Sequence, residues 1–87
     1  MQKTNNMITT VKVIEKQGTT YTSHKVVIGK TQWTILVVKG NFNYISIYND
    51  SYGRRSMGKD YKTFDDAVLS YKNPQMKVAL LKIEMGF

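Results

Sequence analysis

Apolar and polar positions alternate along the first two thirds of the chain, and the period changes after residue 60. In residues 8–14, Ile8, Thr10, Lys12 and Ile14 share one parity and Thr9, Val11 and Val13 the other. This run is rich in β-branched residues and predicts a first strand. Residues 15–18, EKQG, read as a turn with glycine available for positive φ. Residues 19–28, rich in Thr and Tyr, predict a second strand, and Gly29-Lys30 a tight connection. In residues 31–38, Trp33, Ile35 and Val37 alternate with Thr34, Leu36 and Val38. This is the most apolar strand, so it is expected at the centre of the sheet. Gly40-Asn41 predicts a two-residue hairpin loop leading into a fourth strand over residues 42–49.

That fourth strand has two plausible inner faces. Phe42, Tyr44, Ser46 and Tyr48 lie on one parity, Asn43, Ile45 and Ile47 on the other. Residues 50–53 are turn-like, and residues 54–59 form a candidate basic edge strand. Then helical spacing takes over. Thr63 is an N-cap with Asp65 and Asp66 in the first turn, and Phe64, Ala67, Val68 and Tyr71 make one stripe. Asn73-Pro74 repeats the start signal, and Gly86 marks the end of a second helix. That helix carries two apolar stripes, Met76, Ala79, Leu80 and Ile83, and Val78, Leu81 and Met85. A surface helix is not normally apolar around so much of its girth. Either it is sunk against the sheet and the first helix, or Val78, Leu81 and Met85 meet a second copy as a homodimer interface.

At 87 residues the chain is expected to be one domain, with residues 1–6 frayed, 7–59 a basic sheet and 63–86 two helices. The expected class is α+β, an antiparallel sheet of four to five strands followed by two C-terminal helices packed on one face. The absence of cysteine excludes disulfides and thiolate chemistry and fits a reducing compartment. The opening residues lack the apolar run of a signal peptide, and no stretch approaches the roughly 20 apolar residues that span a bilayer. The expected location is therefore the cytoplasm, with no membrane partner.

The formal net charge is +7, and its placement is uneven. Before residue 60 nine basic residues face two acidic ones, and from there on four face four. Such a field attracts polyanions: nucleic acid, acidic protein or anionic lipid. Catalytic signals are lacking. His24 is the only histidine, and the adjacent Asp65 and Asp66 diverge by about 100° on a helix. Residues 53–59, GRRSMGK, do not have the order of a phosphate-binding loop. The expectation is a protein that is not an enzyme and needs no cofactor or metal.

Aromatic residues among basic ones provide the remaining signal. Unpaired bases stack on flat side chains while Lys and Arg follow phosphates. Candidate phosphate contacts are Lys25, Lys30, Lys39, Arg54, Arg55 and Lys59; candidate stacking residues are Phe42, Tyr44 and Tyr48. The alternative is a protein-interaction module, an inhibitor or accessory factor whose aromatic face docks on an acidic host protein.

Two stretches carry family resemblances. Ile28-Gly29-Lys30 and Gly58-Lys59, in a run reaching about residue 68, resemble the transcriptional-coactivator family that binds single-stranded DNA. That resemblance implies a curved antiparallel sheet, a following helix and a dimer on unpaired DNA. Gly58, Tyr61, Thr63, Asp65, Asp66, Ala67 and Tyr71 are similar to the sheet-to-helix joint of ethylene-response-factor and integrase-arm DNA-binding domains. Such domains lay a three-stranded sheet in the major groove. The chain as a whole resembles small phage or mobile-element proteins.

Overall fold

The computed structural model describes residues 8–50 and 58–86. Five strands, β1 (Ile8–Lys16), β2 (Thr19–Ile28), β3 (Thr31–Lys39), β4 (Tyr44–Asn49) and β5 (Lys59–Tyr61), form one antiparallel sheet in sequence order. Two helices follow, α1 (Phe64–Ser70) and α2 (Pro74–Met85). The α+β class holds, and the apolar β3 lies in the middle of the sheet.

Both helices start where side-chain oxygens can satisfy free backbone donors. Thr63 Oγ1 accepts from the Asp66 N–H at 3.1 Å, and Asn73 Oδ1 accepts from Gln75 N–H at 2.7 Å. Gly86 ends α2 in the left-handed region at φ 87°. Lys77 Nζ reaches back from α2 and donates to the Val68 carbonyl of α1 at 2.7 Å, which ties the two helices together.

Strand register sends Val26 and Ile28 of β2, Ile35 and Val37 of β3, and Ile45 and Ile47 of β4 to one side of the sheet. Ala67, Met76, Ala79 and Leu80 of the helices close over them, with Ile8, Trp33, Phe64, Val68, Tyr71 and Ile83 around the margin. The two inner faces considered for β4 are thereby resolved, with Ile45 and Ile47 under the helices. Of the two apolar stripes on α2, the first is in the core, while Val78, Leu81 and Met85 stay exposed.

Three local expectations change. The β3–β4 connection is not a two-residue loop; β4 begins at Tyr44, and Gly40 N–H donates to Asn43 Oδ1 at 3.0 Å across a longer turn. Gly40 has φ 145°, and a Cβ there would collide with the Gly18 carbonyl oxygen and Thr19 Cα. Asn41 completes the contact between the two turns, its Nδ2 donating to the Gln17 carbonyl at 2.8 Å. Close docking of one turn on the other is what lengthens the loop. Second, β1 runs on to Lys16, and its register slips by one residue between Thr10 and Lys12. Third, the described part of the basic edge segment forms a strand only from Lys59. The rest of that expectation, and the fraying of residues 1–6, lie outside the described residues.

Candidate functional site

Among the described residues no helix covers the opposite face of the sheet, and its relief follows from the register. Adjacent strands align their residues in rungs across the sheet. One rung reads Ile14, Tyr21, Val38, Tyr44; the next reads Lys12, Ser23, Leu36, Ser46, Asp60; the third reads Thr9, Lys25, Thr34, Tyr48. Large side chains therefore stand on either side of a rung that holds two serines. The result is a concavity of about 520 Å³. Ser23 and Leu36 floor it, Tyr21 and Tyr48 wall it, and Lys12, Ile14 and Lys16 of β1 border one end.

Three deeply buried residues, Thr19, Val38 and Thr34, lie on this uncovered face among the described residues. Val38 is 1% exposed, and its neighbours across the strands are Tyr21 and Tyr44, whose half-buried rings shield it from both sides. Thr34 is 2% exposed and fully engaged. Its hydroxyl donates to Asp50 Oδ1 at 2.7 Å and accepts from Lys25 Nζ at 2.6 Å, while Lys25 Nζ also donates to Asp50 Oδ2 at 2.8 Å. This closed triangle satisfies a buried hydroxyl and neutralises Lys25.

The residues singled out in the sequence are therefore not assembled at one place. Tyr44 and Tyr48 lie on the uncovered face, as does Lys25, but its charge is paired with Asp50. Phe42 is exposed in the β3–β4 loop and stacks on Tyr44, with ring centroids 6.1 Å apart and planes 16° from parallel. Lys30 is at the β2–β3 turn. By register Lys39 and Lys59 belong to the helix-bearing side. Arg54 and Arg55 lie outside the described residues.

Conversely, Lys12, Lys16 and Tyr21 border the concavity and lie outside the residues that the sequence nominates. Simple alternation pairs Lys12 with the parity of Ile8 and Thr10. The slip at Val11 turns Lys12, Ile14 and Lys16 to the uncovered side instead. A signal for the concavity itself exists in the sequence: Tyr21-x-Ser23-x-Lys25 and Tyr44-x-Ser46-x-Tyr48 both read large, small, large on one parity.

Two titratable groups on the helix-bearing side have shifted pKa values. Burial lowers the pKa of His24, whose Nδ1 is 3.1 Å from Thr10 Oγ1. Burial first, and Tyr61 beside it second, push the Tyr71 phenol well above its usual value. Tyr71 also meets Trp33 edge to face at 6.1 Å. Among the described residues no cluster of His, Asp and Glu is suited to a metal ion, and no helix is long and apolar enough to cross a membrane. No family model, curated protein or solved structure matches the chain.

Proposed function

We propose that the chain binds nucleic acid, without catalysing a reaction on it, through the uncovered face of the sheet. The observation that carries this reading is the concavity itself, walled by Tyr21 and Tyr48 and bordered by Lys12 and Lys16. Half-buried rings offer bases a flat apolar surface, and two lysines on the outermost strand offer phosphates a cationic rail. The net charge of +7 adds a long-range attraction that brings any polyanion to the surface. Fluorescence polarisation with labelled DNA and RNA at low salt tests the reading. Binding is expected to weaken linearly on a log–log plot against salt, because each neutralised phosphate releases counterions. Absence of binding to every single- and double-stranded probe at low salt would sink it.

One observation favours a second reading, docking on an acidic protein. β1 leaves Val11 and Val13 54% and 61% exposed, Val13 by register on the face opposite Lys12 and Lys16, an apolar edge that phosphates do not require. Under this reading Lys12→Gln with Lys16→Gln leaves nucleic-acid probes unaffected and weakens capture of the protein partner. Under the first reading the same pair weakens every probe.

A further inference from the structure

The concavity also bears on which form of nucleic acid it takes. Resting on the reading above, we infer that the trough floored by Ser23 and Leu36 receives unpaired bases, and that this protein prefers single-stranded over double-stranded nucleic acid.

The first ground is shape. The major groove of a duplex is entered by something that protrudes, a helix, a ribbon or a raised sheet face. The centre of this face recedes, because Ser23 and Ser46 flank Leu36 between rungs that carry tyrosines. A receding surface takes in what projects from the ligand. Bases project from a single strand; from a duplex only phosphates and groove edges are presented.

Chemistry is the second ground. In a duplex both faces of every base are covered by the neighbouring pairs, so Tyr21 and Tyr48 would find no free ring to stack on. Their rungs are four residues of strand apart, roughly 13 Å at about 3.3 Å per residue. That opening, floored by an apolar Leu36 and the hydroxyl of Ser23, is polar enough for base edges and apolar enough for base faces.

Charge placement is the third. Lys12 and Lys16 are exposed on one strand, again roughly 13 Å apart. They line one side of the trough only. Among the described residues the other lysine of this face is Lys25, which is held by Asp50, and Asp60 ends the serine rung at the far edge. A single backbone following β1 with its bases turned inward meets Lys12 and Lys16 and stays clear of Asp60. A duplex lying over the sheet would bring its second backbone toward Asp60 and the neutral Lys25–Asp50 pair.

The test is polarisation at low salt with a mixed-sequence single-stranded DNA, the same sequence as a duplex, and the RNA counterpart of the single strand. The wild-type protein is expected to bind either single strand at least tenfold more tightly than the duplex. Tyr21→Leu is expected to weaken single-strand binding roughly five- to a hundredfold, the range measured for loss of one stacked base, and to leave duplex binding within twofold. Since Tyr21 also shields Val38, Ser23→Leu is the companion variant: it leaves Tyr21 and Val38 in place and fills the trough floor without adding a ring for bases to stack on, and it should abolish the preference for single strands. Lys12→Gln with Lys16→Gln should weaken both forms. Duplex binding equal to or tighter than single-strand binding, or a preference that survives both Tyr21→Leu and Ser23→Leu in folded protein, overturns the inference while the nucleic-acid reading stands. Failure of all probes to bind overturns both.

Discussion

The two faces of this sheet are built on opposite rules. The covered face repeats medium-sized aliphatic residues, Val26, Ile35, Val37, Ile45 and Ile47, which fill space evenly beneath two helices. The uncovered face alternates large with small and polar with apolar, and its buried atoms are sealed locally, Val38 between two tyrosines and Thr34 within an ion-paired triangle. Uniform side chains let a flat layer pack against another layer. Uneven ones leave relief, and relief is what a ligand can enter. A small sheet can therefore hold itself together with one side and keep the other shaped.

The sharpest way to break this contrast is on α2, where neighbouring residues belong to different worlds. Leu80→Ala empties a fully buried position and is expected to cost about 2–5 kcal/mol in urea melts, whereas exposed Leu81→Ala should stay within about 0.5 kcal/mol. Comparable losses from the two would mean that the outer stripe is also buried in solution. Next, Val38→Thr asks whether the tyrosines seal the uncovered face. A hydroxyl with no partner there should cost roughly 1–3 kcal/mol, and a cost near zero would show water already reaching that position.

A smaller effect on stability, and an opposite one on binding, is expected from Asp50→Asn. Losing a part-buried ion pair whose side chains are about a third and a quarter exposed, with Asn still able to accept from Thr34, should cost about 1 kcal/mol. The released Lys25 charge should tighten single-stranded DNA binding and steepen its salt dependence by about 0.7 in the log–log slope. Unchanged affinity would place the ligand away from the β2–β4 side of the trough. The smallest effect concerns pH. Burial lowers the His24 pKa in the folded protein below 6.5, so the unfolded chain takes up a proton first as pH falls. Stability is then whole above pH 6.5 and declines below it toward the lower folded value. His24→Gln should flatten that decline in melts run across this range, and an unchanged slope would put its origin elsewhere.

Much of this architecture is written in local chemistry that needs no partner strand to interpret. The caps at Thr63 and Asn73, the stop at Gly86, the central place of β3 and the two stripes of α2 all follow from spacing and residue type. The site was harder to see because it depends on alignment between strands. Tyr21, Ser23, Leu36 and Tyr48 become walls and floor only once β2, β3 and β4 are set in register. Lys25 showed its charge in the sequence but not its Asp50 partner, 25 residues away. Lys39 and Lys59 showed charge but not side, and the loop at Gly40 gave no sign of the turn it docks against.

The slip at Val11 acts as a change of phase in a two-beat pattern. Were β1 to zip onto β2 without it, Val11, Val13 and Glu15 would face the trough, and Lys12 and Lys16 would leave. One supernumerary residue thus decides whether that border is cationic or carries a carboxylate. Two deletions of equal size in the same strand should then have opposite consequences. Removing Val11 restores a regular ladder and keeps both lysines where they are. Removing Val13 shifts everything after it by one beat, turning Glu15 inward and Lys16 away. The sign of the electrostatic border of this surface is set by counting residues as much as by choosing them.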